Sequence, residues 1–555
     1  MSSMEASTRG VWLGLLERHA REQGDKTALA VRASDGSYRE TSYGELLLRA
    51  QSFARVFEEN TPSGQVIPLC LARTADAAAA MLGALLAGRA FCCVNQKLRI
   101  PQIEHIVRAT RSPCALIDEA GLNALRGELG EDSPLLRTRW LVLGEAELTR
   151  LARKVCERLT ARVDARGLTP PRGGAGHMSR EQPHMAGACL FTSGSTGLPK
   201  GVLISAQDLR ARALAEVAWY GLSSADVLLN VLPFSFDVGL NQLLSSLAAG
   251  AELVMLDSWL PMDILQTAEQ RKVTGISAVP SIWADLMREG RCFDRHEAHR
   301  ALRYITVSGG DMTPAQHERL PALAQGAQVF KTYGQTEAFR ASSLRPDEYR
   351  ARPGSVGRAF VGVHLYVVRE DGSLARPGEE GEVVHGGLGV MLGYLDGHDP
   401  QHKLRDNPWR GAQDPSPKVI FTGDLGYLDD EGFLYLRGRR DDMVKIQGNR
   451  VYPGEVRNQI AALSGVASVE VIVARTPSRT ELVAFVVPDA AVALDARELR
   501  VRLQRQLPSY MVPEVLCLRE VLPRTASGKP DRVSLAAQAL QMLSEKTPSE
   551  PQPAR

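Results

Sequence analysis

The stretch FTSGSTGLPKGV, from Phe191 to Val202, sets three glycines, a run of hydroxyls and one lysine within a dozen residues. Glycine permits the close turns that let successive backbone N–H groups and hydroxyls converge on one anion, and lysine adds a point charge suited to phosphate. The pattern is that of a phosphate loop; composition alone also allows a Gly/Ser linker. It is not the GxxxxGK[ST] loop of kinases and GTPases. Pro199 stands before Lys200, and Gly201 follows where a magnesium-binding Ser or Thr would be needed.

Thr192 to Gly201, TSGSTGLPKG, resembles letter for letter the [ST]SG[ST]TGxPKG phosphate loop of the AMP-forming adenylating enzymes. These are the acyl-CoA synthetases, the luciferases and the adenylation domains of nonribosomal peptide synthetases. The resemblance implies that Thr192, Ser193, Gly194, Ser195, Thr196, Gly197 and Lys200 hold the ATP phosphates. Further family motifs follow in order. YGQTEA resembles YGxTE, which implies that Tyr333 and Gly334 flank adenine, Thr336 contacts the α-phosphate and Glu337 helps hold Mg²⁺. Ser308, Gly309 and Gly310 match the small-residue strand end beside the base, and TGDLG places Asp424 at the ribose diol. GRRDDMVKIQGNRVYPGEV is similar to the hinge segment, with Arg439 near the ribose, Asp441 as pivot and Gly448 in the loop that later meets the thiol. LPRTASGKPDR matches PxTxSGKxxR, making Lys529 the family's mobile catalytic lysine. The likeness spans roughly residues 10 to 540 and implies ATP and Mg²⁺ as cofactors.

Within the family, LPFSFDVGLNQLLSSLAAGAELVML is most similar to the amino-acid adenylation domains, whose aspartate in this segment binds the substrate α-ammonium. Asp237 holds that place; its alternative role is to cap the helix that follows. Carrying the specificity positions across gives Asp237, Val238, Asn241, Ser277, Thr306, Ser308, Thr332, Arg340, Ala341 and Lys529, with Ser277 and Thr306 most exposed to a slip of register. So polar a set disfavours large aliphatic or aromatic side chains, which would leave it unpaired. Arg340 needs an anion if it faces the pocket, so an acidic amino acid is expected ahead of Ser, Thr or Gln. Otherwise it turns outward to Asp347 or Glu348 and leaves a small neutral pocket. Two departures stand out. Lys331, two residues before Tyr333, cannot accept a hydrogen bond from the adenine amino group where relatives carry Asn or Gln. RVYPGEV resembles acyl-CoA synthetases and free-standing activators more than the usual peptide-synthetase form.

The expected reaction is ATP-dependent formation of a polar aminoacyl-adenylate with release of pyrophosphate, then transfer to the phosphopantetheine thiol of a carrier protein acting in trans. With no carrier segment after Lys529 and no condensation segment before the motifs, a stand-alone protein is expected. An acyl- or aminoacyl-CoA ligase is the alternative within the class, and a non-catalytic nucleotide-binding module the alternative outside it. Lys529 and Glu337 speak against the module, because binding alone requires neither.

The elements that must position these residues alternate along the first part of the chain. TALAV, VIPLCLA, AFCCVNQ and WLVLG predict strands, and SYGELLLRAQSFARVFEE predicts a Ser-capped helix burying Leu46, Leu47, Ala50, Phe53 and Val56. The rhythm continues through DVLLNVLPF, AELVML, GISAVP, LRYITVSGG and QVFKTYG, which implies parallel βαβ units. Between Pro170 and His184 the composition is that of a loop. After Arg352, HLYVVREDGSLARPGEEGEVVHGG and GFLYLRGRRDDMVKIQGNRVYP predict antiparallel hairpins, and from Tyr452 a small α+β unit follows. The fold class is thus α/β: an N-terminal core over residues 1–440 with parallel sheets and an antiparallel barrel-like part, a mobile C-terminal domain over 441–545, and a disordered tail over 546–555.

Net charge is only +2, from 66 basic and 64 acidic residues, so no global field favours nucleic acid or an anionic membrane. The apolar run from Ala77 to Gly88 is too short to span a bilayer and predicts a buried helix. No secretory signal is visible, and a cytoplasmic enzyme is expected. The eight cysteines form no CxxC pair and are expected as buried free thiols; HEAH at His296–His299 falls short of a zinc motif, so no structural metal is expected.

Overall fold

A computed structural model describes residues 3–96, 98, 100–128, 133, 135, 138–143, 185–192, 199–288, 300–310, 312–324, 326–352, 354–399, 401–412, 414–442, 444–446, 449–475, 480–489, 494–525 and 527–546. Ser193–Gly197 of the phosphate loop, Gly448, the Pro170–His184 loop, HEAH, Cys156, Cys292 and the tail after Lys546 lie outside the described residues.

The first helix of the predicted pattern, Tyr43–Asn60, begins where Ser42 accepts from Glu45 N–H and Glu45 accepts in turn from Ser42 N–H, a closed capping box. Leu46, Ala50 and Phe53 are buried, while Leu47 and Val56 pack half-buried at the edge of the same core. The Ala-rich run forms Ala75–Leu86, buried along nearly all its length. Gly83 lets it lie on Tyr43–Asn60, because a Cβ there would fall 2.5 Å from Phe53 Cβ.

Two large sheets carry the N-terminal part. One has nine strands in the order Arg358–Ala359, Phe339–Leu344, Gln328–Gln335, Tyr304–Val307, Gly275–Ala278, Val227–Asn230, Glu252–Met255, Thr27–Arg32 and Tyr38–Ser42. Its centre is parallel, as the βαβ rhythm predicts, and both edges are antiparallel. Short turns force two of these reversals: a βαβ crossover needs a dozen residues or more, and only Thr336–Ala338 separate Gln335 from Phe339, and residues 33–37 separate Arg32 from Tyr38. The second sheet has seven strands and brings Ala186–Thr192 against Lys200–Ser205, the two strands flanking the phosphate loop.

A five-stranded antiparallel sheet follows, built on Val363–Val368, Gly381–Gly387, Leu404–Asp406, Lys418–Leu428 and Leu434–Arg439. The Asp371–Gly372 turn closes only an isolated bridge between Val368 and Leu374, and the main partner of Val363–Val368 starts later, at Gly381. The smaller C-terminal domain packs the helices Pro453–Ala461, Ala496–Gln506 and Arg532–Lys546 on a three-stranded sheet. Among the described residues no group of three or more metal-ligating side chains occurs, six cysteines are free, and no helix is long and apolar enough to cross a membrane.

His385, on Gly381–Gly387, is fully buried and donates from Nε2 to Leu388 O at 2.7 Å. Burial pulls its pKa from 6.5 down to about 4. A folded pKa below the unfolded one means the unfolded state takes the proton first, so stability is full above pH 6.5 and is lost as pH falls towards 4. The gap is worth about 3 kcal/mol. Urea midpoints measured from pH 7 to 4 should fall, and His385→Gln, which keeps a donor, should flatten that part of the profile.

Candidate functional site

The site forms at the carboxyl ends of the parallel strands Tyr304–Val307 and Gln328–Gln335, the usual place for a ligand in an open α/β sheet. Ser308 Oγ and Thr332 Oγ1 share a short hydrogen bond there, and Thr332 Oγ1 also donates to Val307 O at 3.3 Å. The chain then folds back at Gly334, where a Cβ would fall 1.8 Å from Phe339 O, so only glycine fits. Phe339 takes φ of 48°, an uncommon backbone for a bulky residue, which marks the turn as constrained from outside.

Tyr333 OH donates to Asp424 Oδ2 at 2.5 Å, and Gln335 Nε2 donates to the same oxygen at 2.6 Å. Arg439 Nη1 lies 3.3 Å from Oδ1. Burial pushes the Asp424 carboxyl above its ordinary value, with Arg439 opposing, and burial likewise raises the Tyr333 phenol. Asp424 and Arg439 therefore stand together, on paired strands, beside the Tyr333 ring.

Glu337 is buried, and its Oε1 accepts from Lys403 Nζ at 2.8 Å and Tyr394 OH at 3.0 Å. Burial is the largest single influence and acts to raise its pKa, yet the Lys403 charge together with the hydrogen bonds to the carboxylate holds it below its ordinary value. Lys200 sits on the strand after the phosphate loop with Nζ 5.6 Å from the Tyr394 ring centroid. Thr192, Gly310 and Thr336 line a cavity of about 580 Å³ between the two domains, which Ser468, Glu470 and Arg524 close from the C-terminal side.

Lys529 reaches into this centre from a tight C-terminal hairpin, in which Thr525 N–H donates to Lys529 O at 2.7 Å and Gly528 N–H to Thr525 O at 2.9 Å. Ser281 Oγ donates to Gly528 O at 2.6 Å, and Arg524 meets both oxygens of Asp285 at 2.7 and 3.1 Å. The lysine stem passes over Gly309: a Cβ there would come within 3.0 Å of Lys529 Cε, and φ is +81°. Among the described residues the ammonium has no hydrogen-bonded or ion-paired partner, only the Phe236 ring at 4.6 Å. Desolvation lowers its pKa from the ordinary lysine value, and Asp237 opposes that shift.

Asp237 opens the helix Asp237–Ala249 as its first residue; the cap itself is Phe236, which has no side-chain bond. Asp237 Oδ1 accepts from Val238 N–H at 2.9 Å, and no cation among the described residues lies within ion-pair distance. A second cavity, of about 50 Å³, lies between Asp237 and Lys529. Val238, Asn241, Ser308, Thr332 and Arg340 line it, with Gly309, Tyr333, Gly334 and Thr336 at its mouth. Ser277, Thr306 and Ala341 are buried elsewhere in the sheet and do not line it.

Arg340 lines the cavity as expected but meets neither of the partners expected for it. It is buried, not turned outward to Asp347 or Glu348, and its counter-ion is Glu216 Oε1 at 2.8 Å. Its Nη1 also donates to Tyr220 OH. The acidic substrate expected to neutralise it loses that ground. Glu216 and Lys403 are the functional candidates the sequence did not reveal. Glu216 lies on Ala206–Tyr220, where a glutamate in a helix reads as a solvated face, and Lys403 lies in an unpatterned turn. Lys331 is buried and has His317 Nε2 at 3.4 Å.

Comparison with known proteins agrees with this geometry. Residues 16–395 match the model of the AMP-binding enzyme family, and residues 455–529 match the AMP-binding enzyme C-terminal domain. The chain is 32% identical over 380 residues to delta-poly-L-ornithine synthetase of Acinetobacter baumannii, covering 67% of this chain but 28% of that one. It is 29% identical over 512 residues to an L-proline--[L-prolyl-carrier protein] ligase of Pseudomonas fluorescens, covering 90% of this chain and 94% of the relative. In fold it is similar to ATP-bound MatB from Rhodopseudomonas palustris, at a TM-score of 0.76 and 23% identity, over 96% of this chain and 99% of that one. The chain spans only a small part of several synthetases it matches, 5% of bacitracin synthase 3 and 8% of tyrocidine synthase 3. The chain belongs to the AMP-binding enzyme family.

Proposed function

We propose that this protein activates an amino acid as its aminoacyl-adenylate and passes the aminoacyl group to the phosphopantetheine thiol of a separate carrier protein. One observation carries the reading: the Lys529 ammonium and the Asp237 carboxylate, neither ion-paired among the described residues, line one small cavity. Buried charges without partners are costly, and a zwitterionic α-amino acid complements both. The prolyl-carrier ligase that aligns almost end to end supports a carrier acting in trans. CoA is the second acceptor to test, on the acyl-CoA-synthetase character of RVYPGEV.

In this reading Asp237 binds the α-ammonium and Lys529 holds the α-carboxylate. A carboxylate oxygen attacks the α-phosphorus of ATP, the bond to the bridging oxygen breaks, and pyrophosphate leaves. The ammonium of Lys529 offsets repulsion between the two anions without giving up its proton, so catalysis is positioning and electrostatics. Thr192, Ser193–Gly197, Lys200 and Thr336 contact the phosphates, Tyr333, Ser308, Gly309 and Gly310 flank the base, and Asp424 with Arg439 meets the ribose. Glu337 has Oε1 committed to Lys403 and Tyr394, which leaves Oε2 for a metal. One carboxylate oxygen suits Mg²⁺, whose other ligands come from phosphate and water. Bound there, Mg²⁺ would supply charge neutralisation on the phosphates. The thiol then attacks the acyl carbon and AMP departs. Residues 441–545 rotate between the two steps about Asp441, withdrawing Lys529.

Lys529→Ala should abolish substrate-dependent pyrophosphate exchange yet retain thioester formation from supplied aminoacyl-adenylate; equal loss of both would make the lysine structural. Because its pKa is lowered and the charged form is the active one, exchange should decline as pH rises, beginning below the ordinary lysine value of 10.5. Lys529→Arg should lack that alkaline limb. Gly309→Ala should act like Lys529→Ala on the two half-reactions, since the added methyl displaces the lysine stem. Asp237→Asn should lower exchange with the amino acid by roughly two to three orders of magnitude, for an unpaired buried ammonium costing about 3–5 kcal/mol. The matching desamino acid should be much less affected; equal losses would remove the ammonium role.

A further inference from the structure

The floor of the 50 Å³ cavity is where this chain departs from a simple polar pocket. Arg340 lines it, and Glu216, set behind from Ala206–Tyr220, pairs with the guanidinium at 2.8 Å. The guanidinium carbon lies 5.4, 5.6 and 5.3 Å from the ring centroids of Tyr220, Phe339 and Phe360. Tyr220 is itself stacked on Tyr304 at 4.9 Å and meets Phe330 edge-on at 5.0 Å. An arginine so boxed, with a carboxylate and a phenol oxygen already on its nitrogens, is wall. A second anion brought against it would meet Glu216 as well, and like charges at close range in a desolvated site are strongly unfavourable.

A separate observation points to what the cavity does take. Asn241 is 2% exposed and lines the same cavity, and its Oδ1 has no hydrogen-bond partner. The neighbouring hydroxyls of Ser308 and Thr332 are already bonded to each other and to Val307 O. A buried orphan acceptor costs free energy until a ligand donor meets it. If the amide is turned over, its N–H₂ occupies that place, and a hydroxyl or carboxamide serves either orientation. Size bounds the choice further. The cavity measures only about 50 Å³ and also takes the α-ammonium and α-carboxylate ends, so the side chain is small.

Resting on the amino-acid reading above, we infer that the substrate carries a small, uncharged side chain ending in a hydroxyl or carboxamide, of the serine, threonine or asparagine kind. Glu216 is the residue that excludes acidic side chains, acting through Arg340 as a positioning and charge-balancing group.

The test is pyrophosphate exchange with the twenty amino acids, for the wild type and for Glu216→Gln. The wild type should use Ser, Thr or Asn at least ~10-fold better than Asp or Glu, and better than Ala, which lacks the donor. Glu216→Gln leaves Arg340 without its counter-ion, so the ratio of Asp to Asn activity should rise ~10-fold or more. That ratio is a readout a merely structural role would not move. Should Glu216→Gln fold poorly, Glu216→Gln with Arg340→Met removes both charges together and should keep the wild-type order. A wild type that prefers Asp, Glu, Lys or a large apolar residue overturns the inference, as does an unchanged Asp to Asn ratio in a folded Glu216→Gln. Failure of the underlying reading has a different signature: no amino acid supports exchange while acids lacking the ammonium do. In that case 3-hydroxypropionate against succinate, in the same two proteins, decides the pocket on its own.

Discussion

Everything at this site depends on getting one ammonium past one missing side chain. Lys529 belongs to the small C-terminal domain and acts in a cleft built by the large one. Its stem crosses the strand end at Gly309, where a Cβ would stand 3.0 Å from Lys529 Cε. The hairpin that presents it is rigid, closed by hydrogen bonds from Thr525 to Lys529 and from Gly528 to Thr525. What fixes the hairpin to the large domain is polar and sparse: Ser281 on Gly528 O, and Arg524 on Asp285. A bidentate pair of this sort, with each side chain about one-fifth exposed, contributes on the order of 1 kcal/mol. A cavity of about 580 Å³ remains between the domains beside this contact, so the contact that places the cation is limited. A limited contact suits a reaction whose second step needs the lysine gone.

The parts of this arrangement legible in the sequence are those dictated locally. Apolar runs of strand length bounded by Gly and Pro gave the parallel centre of the sheet, and Ser42 with Glu45 marked a helix start. Tyr333, Thr336 and Glu337 fall within one short turn, so their order along the chain carries their relation in space. Gly334 belongs to the same class, since the turn that needs it is adjacent. What could not be read was the identity of partners brought from afar. Arg340 meets Tyr220 across 120 residues, and Glu216 lies one helical turn before it. Nothing local separates Glu216 from any solvent-facing glutamate. A lone arginine in a pocket motif thus suggested an anionic substrate, when the protein supplies that anion itself. Lys403 was missed for the same reason: its reach to Glu337 spans 66 residues of hairpins and turns.

Set side by side, the buried charges at the site divide into two groups. Glu337 has Lys403, Arg340 has Glu216, and Asp424 has Arg439. These pairs are assembled within the large domain, on its strands, a helix and the turns between them, and their geometry is set before any substrate arrives. A prepaired charge in a desolvated site needs no reorganisation when charge develops next to it, which is the main way such sites lower a barrier. Each pair also carries a hydroxyl or amide beside its ion: Tyr394 on Glu337, Tyr220 on Arg340, Tyr333 and Gln335 on Asp424. These donors and acceptors hold the ionised groups in one orientation.

Lys529 and Asp237 form the second group, without ion partners among the described residues and both lining one small cavity. Their separation across the two domains has a consequence for timing. While the domains are docked, the cavity offers a cation and an anion, and a zwitterion satisfies both. In the proposed reaction Lys529 then withdraws while Asp237 still holds the ammonium end, and the carboxylate end, now in a mixed anhydride with phosphate, no longer needs a counter-charge. The anion that stays is the one that must keep the aminoacyl group seated; the cation that leaves is the one whose work ends when the adenylate forms. Under the proposed function, dividing these two charges between a helix start in the large domain and a hairpin of the small one would let one movement change the site from a nucleotide-transfer centre to one open to a thiol.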